Sequence, residues 1–481
     1  MASDPAARLR RSTPAAKAGI VHFGPGAFFR AFNATFTHEA MEAAGGDWGI
    51  VAVSLRSATA RDQLLQQGGV FTALERGPEG DALSVIGSVV DVLVAPEDPA
   101  AVLARMADPA IRIVSLTITE KGYGYDAGTG GLDVAQPDIA ADLEDLSAPR
   151  SAVGFIVAAL RIRHARGLAP FTVLSCDNLP SNGQVARTGV LDFAGRADRE
   201  LCNWIVENVP FPSTMVDRIT PATQPEDIAR LQELAGYEDP AMVVHEPFRQ
   251  WVIEDNFADG RPAWDQAGAQ FVTSVEAHET MKLRCLNGTH SALAYLGYLA
   301  GHETIAESIA APGFAAFCQR LWREEIVPTV PQPEGEDLSV YTTALLERYR
   351  NPNIRHRTWQ IAMDGSQKLP QRILGTLRDH LARDRVPEGL CLVVAGWMRY
   401  VGGTDERGQP IDVRDPLATR LRHASDAAPD PAGKVAALLD MSEVFGTDLT
   451  SSPRFREAVS GVYARLVDAG AAQTVRAYSG F

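Results

Sequence analysis

A chain of 481 residues, 46% hydrophobic and 22% charged, has an ordinary globular composition and length enough for two large domains, which excludes a disordered or fibrous protein. The 60 acidic side chains outnumber the 45 basic ones, and the net charge of −15 argues against general affinity for nucleic acid or anionic membrane while leaving room for a local basic pocket. Five cysteines, Cys176, Cys202, Cys285, Cys318 and Cys391, are scattered, odd in number and without CxxC pairs, so neither a disulfide framework nor a metal site is expected of them. The N-terminal stretch lacks the apolar core of a secretory signal, and no apolar run approaches the roughly 20 residues of a membrane helix. A cytoplasmic protein without a membrane partner is expected.

In chain order, a polar, Pro-containing entry segment leads to the apolar run Gly19–Phe23, which ends in Gly24-Pro25-Gly26 and is followed by an expected helix over Ala27–Ala44. Gly49–Ser54 reads as a second buried strand, with helix from Arg61 onward. Further strands are expected at Leu83–Val94, Ile111–Thr119 and Phe171–Cys176, with helices at Ala100–Met106 and Ser151–Ala165. This alternation is that of a parallel, doubly wound sheet. Beyond about residue 270 the pattern turns helical, over 276–326, 339–349, 367–384, 389–400, 433–446 and 453–469, broken at Pro328–Pro333 and Pro429–Pro431. The fold expected is α/β: a Rossmann-type domain over 1–275 and a mainly helical substrate domain over 276–481, with a ligand cleft between them at the carboxyl ends of the strands.

A glycine turn between strand and helix lets a pyrophosphate approach the backbone at a helix N-terminus. Here Gly24 and Gly26 supply it, Phe29 stands in place of the usual third glycine, and Arg30 lies one helical turn on, within reach of phosphates. Alone, such a turn is common strand–helix punctuation. After the second strand the chain reads Ser54-Leu-Arg56-Ser57, with no acid before Asp62 to hold a ribose hydroxyl. Arg56 could stack on adenine, bind a 2′-phosphate or face water, so NAD and NADP both stay open.

The stretch Glu279-Thr-Met-Lys282-Leu-Arg-Cys-Leu-Asn287-Gly-Thr-His290 is the most informative. At 100° per residue its Glu279, Lys282, Asn287 and His290 fall within about 140° on one helix face. A base, an amide and an imidazole on one face suit carbonyl chemistry, and the apolar remainder of the helix argues against a merely solvated face. Two strand ends add Asn178, a donor for a substrate oxygen, and Thr119 with Glu120, placed to line a nicotinamide; in the bland reading both are turn formers.

Together FGPGAFFRAF, TITEKGY, SCDNLPSNG, FPSTMVDRITP and KLRCLNGTH, in this order from Gly19 to about Gly403, resemble the polyol-specific long-chain dehydrogenase/reductase (mannitol dehydrogenase) family. The resemblance implies a zinc-independent NAD(P) oxidoreductase. It makes Lys282 the general acid/base, Asn178 and Asn287 the donors to the developing oxyanion, and His290 a substrate-positioning group. It adds Asp217, Gln360 and Lys368 as substrate contacts, and it places Gly24, Gly26, Phe28, Arg30, Arg56, Thr119 and Glu120 about the cofactor. NAD is favoured as the cofactor. Two departures stand out: Phe32 replaces a histidine common in the family, and the acid that favours NAD in some members is missing.

The segments Asn351–Arg372 and Gly396–Gly403 resemble the branch that reduces hexuronates, which implies D-fructuronate and D-mannonate as the substrate pair; members acting on D-mannitol tend to carry Arg where Gln360 stands. A substrate carboxylate needs a cation, and Arg355, Arg357, Lys368, Arg372 and Arg399 are the candidates. The alternative is D-mannitol/D-fructose interconversion. A non-enzymatic nucleotide-binding regulator would have no need of Lys282, Asn287, His290 and Asn178 together, and a zinc alcohol dehydrogenase lacks its ligand run.

Overall fold

A computed structural model describes residues 7–126 and 128–480. They divide into two compact units, one ending at Glu276 and the other beginning at Ala277. In the first, strands β1 (Ala18–Phe23), β2 (Gly49–Ser54), β3 (Val89–Val94), β4 (Ile113–Leu116) and β5 (Thr172–Ser175) form one parallel sheet in the order β5-β4-β1-β2-β3. That is the strand order of a Rossmann sheet, in which the order reverses between β1 and β4, and the carboxyl ends at such a reversal are where these sheets hold their ligands.

The alternation of side chains explains why the sheet forms. Val21, Phe23, Val51, Val53, Val114, Leu116 and Val173 enter one apolar layer with Phe155 and Ile156 of the helix Ala152–Ala165. Ile20, Ile50, Ala52, Ile113 and Leu174 point the other way, into a layer with Phe29, Phe32, Phe36 and Trp251. Strands covered on both faces read as continuous apolar runs, as these do.

The sequence places β2 at the bounds found, but joins two strands at Leu83–Val94. The chain instead breaks at Gly87-Ser88. Gly80–Ile86 pairs antiparallel with Phe71–Gly77, a strand not anticipated, in a second sheet completed by Val243–His245. The Ser88 hydroxyl donates to the Ala34 carbonyl (2.7 Å), fixing the corner before β3 begins. A further sheet joins Thr214–Asp217, Gln250–Glu254 and Gln270–Val272. β4 is shorter than expected, because the chain turns at Thr117 and Thr119 takes a positive φ.

The described part of the second unit is built from helices, with β-pairing limited to isolated bridges. Gly288–Leu299 is buried along nearly its whole length and packs on Thr358–Ala362 and Glu388–Val401; Glu388–Val401 packs in turn on Pro453–Ala469. Three of its helices widen into π-helical turns, at Lys282–Asn287, Leu321–Ile326 and Pro370–Leu374. The last begins at a proline, whose ring and missing N–H are incompatible with a regular helix interior. Among the described residues no helix is long and apolar enough to cross a membrane.

Candidate active site

In the first unit the expected cofactor residues gather at the carboxyl ends of β1, β2 and β4. Gly24 has φ 95°, and a Cβ there would lie 2.0 Å from the Thr117 carbonyl oxygen, so the position requires glycine. A Cβ on Gly26 would meet nothing nearer than the Gly24 oxygen at 4.0 Å. The backbone at the start of the helix therefore faces open space, the cradle a pyrophosphate would fill. Arg30 is half-buried; its Nη1 donates to the Ala241 carbonyl (3.1 Å), and desolvation lowers its pKa to about 10 against the pull of Asp239. Its guanidinium is thus committed in part to the fold. Phe28 is half-buried and stacks on Phe32 at 5.0 Å, and Phe32 itself is core, between Phe36 and Trp251. Arg56 is exposed just beyond β2.

Beneath the glycine turn lies a network the sequence did not single out. His22, fully buried on β1, stacks on Phe29 (3.8 Å), with Nδ1 2.8 Å from the Ser115 hydroxyl and Nε2 2.9 Å from that of Thr117. Thr117 Oγ1 donates to the Gly24 carbonyl (2.8 Å), so it accepts from His22 Nε2–H, and His22 Nδ1 accepts from Ser115. Burial lowers the His22 pKa to about 3. A neutral imidazole of defined tautomer braces the turn.

Thr119 and Glu120 follow β4 on the exposed rim, and the exposed Asn178 follows β5. Between them stands Asp177, whose carboxylate accepts from the amides of Ile118 (2.9 Å) and Thr119 (3.0 Å) and from the Tyr123 hydroxyl (2.7 Å). Asn182 ties this rim to the neighbouring sheet: its Nδ2 donates to the carbonyls of Asp177 and Thr214, both at 2.9 Å. Asp217 is buried at the end of the strand Thr214–Asp217. Asp177 and Asn182 lie within SCDNLPSNG, but only pairing across strands reveals what they hold.

In the second unit Lys282 is buried at the start of its π-helical turn and Asn287 closes it; the Gly288 amide bonds five residues back, to Leu283. The regular 100° spacing expected for this helix therefore does not hold. The widened turn brings Lys282 and Asn287, five residues apart, nearer to alignment. Carbonyls displaced by the widening find other donors: Cys285 accepts from Trp322 Nε1 (2.9 Å) and Thr289 Oγ1 (2.6 Å), and Leu286 accepts from the Tyr349 hydroxyl (3.0 Å).

His290 is buried against Tyr349 (ring centroids 4.7 Å apart) and edge-on to His356 (5.0 Å). Burial foremost, then His356, Arg348 and Arg372, hold the His290 pKa well below its usual value. The same burial and cations, with Lys368, lower His356 to about 4. Arg372 donates from Nη1 to Ser291 Oγ (3.2 Å). Burial and Arg372 lower the Lys368 pKa, partly opposed by Asp364 and Asp415.

The structure sorts the five cations considered for a carboxylate. Arg355 and Arg357 are exposed. Arg399 is engaged at a helix end by the carbonyls of Thr404 (2.6 Å) and Asp405 (3.2 Å). Lys368 and Arg372 belong to the cluster around His290 and His356. Gln360 is exposed on the short helix Thr358–Ala362. Among the described residues no group of three or more His, Cys, Asp or Glu side chains is placed to hold a metal ion.

Comparison with known proteins accounts for both units. Residues 18–266 match the mannitol dehydrogenase Rossmann domain and residues 274–467 the mannitol dehydrogenase C-terminal domain. The chain is 49% identical to the D-mannonate oxidoreductase of Escherichia coli over 95% of each chain. It is 39% identical to a Pseudomonas fluorescens mannitol 2-dehydrogenase, solved as a ternary complex with NAD and D-mannitol, over 99% of this chain and 97% of that one, with a TM-score of 0.82. A substrate-free D-sorbitol dehydrogenase superposes with a TM-score of 0.91 at 34% identity, covering 98% of both chains. Both domains of this family are thus matched in order along the chain, with relatives 34–49% identical over nearly its whole length, and the chain belongs to the mannitol dehydrogenase family of oxidoreductases.

Proposed function

We propose that the protein is an NAD(H)-dependent, zinc-independent reductase that converts D-fructuronate to D-mannonate, with the reverse oxidation by the same steps. The observation that carries the substrate assignment is the cation cluster of the second unit. Lys368 and Arg372 are held among imidazoles that stay neutral, an arrangement whose mutual repulsion an anionic substrate would relieve. The 49% identity with a D-mannonate oxidoreductase supports the same reading.

Gly24, Gly26, Phe28, Arg30, Arg56, Thr119 and Glu120 would hold the dinucleotide, which when bound supplies the hydride for the carbonyl carbon. Lys282 gives a proton to the carbonyl oxygen, or removes it in the oxidation direction; burial is the condition under which an amine serves as a base near neutral pH. Asn178 and Asn287 donate hydrogen bonds to that oxygen as charge develops, a role worth about 3–4 kcal/mol for one donor in other enzymes. His290, buried and neutral, can both donate and accept, which suits a substrate hydroxyl. Asp217, Gln360 and Lys368 orient the rest of the chain of hydroxyls.

Steady-state kinetics with NADH and NADPH on fructuronate, tagaturonate and fructose test this. The highest kcat/KM is expected for NADH with fructuronate, and exhaustive chelation is expected to leave it unchanged. Much higher kcat/KM with NADPH would make Arg56 the phosphate ligand. The second reading, D-mannitol/D-fructose interconversion, is favoured by the likeness to a structure that holds D-mannitol; equal or better turnover of fructose would establish it.

A further inference from the structure

Thr119 has φ 65° and ψ 163°. Of the three other non-glycine residues of positive φ among the described residues, Ser181 (48°, 45°) and Asp364 (54°, 35°) sit in the ordinary left-handed region, but the conformation of Thr119 is one essentially reserved for glycine. A β-branched side chain makes it worse. Such a conformation persists only where its surroundings over-determine it.

The Gly122 amide donates to the Thr119 carbonyl (3.0 Å), and the amides on the N-terminal side are held by one side chain. Asp177 Oδ2 accepts from the Ile118 amide and the Tyr123 hydroxyl, and Oδ1 accepts from the Thr119 amide, so two successive N–H groups are clamped by one carboxylate. Tyr123 is itself fixed by the Ser175 hydroxyl (2.6 Å), and the Asp177 carbonyl by Asn182. On the other side Thr117 is bonded to the Gly24 carbonyl. The strained segment is thus held between the glycine turn and the end of β5, where Asn178 is the next residue.

We propose that Asp177 is a positioning residue for the reaction: it imposes the glycine-like conformation of Thr119, so that the cofactor-lining segment Thr117–Glu120 and the donor Asn178 form one rigid rim. This rests on the reading above, in which Thr119 and Glu120 line the nicotinamide and Asn178 faces the substrate oxygen. The backbone conformation, rather than the carboxylate's charge, is what the reaction would use.

The test is a double-mutant cycle of Asp177→Asn and Thr119→Gly in the full-length protein. Asparagine keeps the size but turns an NH₂ toward one of the three donors, breaking one arm of the clamp. Glycine adopts the required backbone without strain. D177N is expected to lower kcat at least tenfold and weaken NADH binding severalfold. In the T119G background the same substitution is expected to cost less than threefold, because nothing remains to be forced, and T119G alone is expected to raise Tm by a few degrees.

Equal losses in both backgrounds, or D177N with kcat and NADH affinity within twofold of wild type, would overturn the proposal. Should D177N fail to fold, Tyr123→Phe removes only one of the carboxylate's three bonds, and a smaller loss, again relieved by T119G, is expected. Failure to show that relief would be equally decisive. The cycle is run on whichever ketose the wild type turns over best, so a wrong substrate assignment leaves the result readable. Loss of coupling with intact wild-type fructuronate reduction would sink the positioning role alone.

Discussion

The two units place their proposed site residues by different means. In the first, position is a property of backbone: strand ends, a glycine with φ 95°, and a threonine forced into a glycine conformation, each braced by uncharged or fully bonded groups such as His22 and Asp177. In the second, position is a property of helix faces, locally re-aimed by π-helical turns, and the groups gathered there are mostly cationic or kept from becoming so. A sheet edge with tied loops defines a shape, which suits a large invariant cofactor. Packed helices define a field, which suits a small anion and a proton.

The comparison breaks most visibly at Lys282. If the second unit supplies the proton and the first the cofactor cradle, Lys282→Ala should lower kcat by about 10³-fold, within the 10²–10⁴ range of a lost acid/base group. NADH affinity, measured by fluorescence titration, should stay within about twofold. Near-normal turnover would remove Lys282 from the mechanism, and a parallel loss of NADH binding would show that the two functions are not divided in this way.

A smaller effect sharpens the electrostatic half. Arg372→Met keeps much of the side-chain bulk and removes the charge. A charge-assisted contact with a substrate carboxylate is worth roughly 1.5–3 kcal/mol, so kcat/KM for fructuronate should fall by about 10- to 100-fold. Fructose, which has no carboxylate, should lose less than about fivefold. Equal losses on both ketoses would mean that Arg372 supports the fold around Ser291 rather than the substrate.

Much of the first unit was legible because its signals are local. Apolar runs, their spacing and a glycine pair announce β1, β2 and the turn, and the helical texture after residue 276 is a matter of periodicity. What could not be read depends on partners far away in the chain. The π-helical turn at Lys282–Asn287 is stabilised by Trp322 and Tyr349, which lie 37 and 63 residues from the carbonyls they serve. The clamp on Thr119 comes from Asp177, 58 residues on. Arg399 and Arg372 look alike in sequence, and only tertiary placement separates a helix-end anchor from a member of the cation cluster. Leu83–Val94 read as one strand because nothing within it says that the Ser88 hydroxyl will find the Ala34 carbonyl.

The smallest expected effect concerns the neutral groups that brace the first unit. His22 is buried with its pKa lowered to about 3, whereas the unfolded chain holds a histidine near 6.5. Between those values the unfolded state binds a proton that the folded state refuses, so the stability contributed is complete above about pH 6.5 and is lost as pH falls toward 3. The loss is about 1.4 kcal/mol per pH unit for each such group. His245 in the same unit behaves alike, lowered by burial and by Arg218 to about 3, and His356 in the second unit is lowered to about 4. His22→Gln keeps a donor and an acceptor but cannot titrate. It should flatten the acid slope of protection of the β1 amides, followed by hydrogen exchange between pH 4 and 6.5, by one proton's worth, while costing some stability at neutral pH. The His356→Gln variant should leave that β1 slope as it is, because its titration belongs to the other unit. An unchanged slope in the His22 variant would mean that His22 is protonated in the fold, and the hydrogen-bond order from Ser115 through His22 and Thr117 to Gly24 would have to be reversed or abandoned.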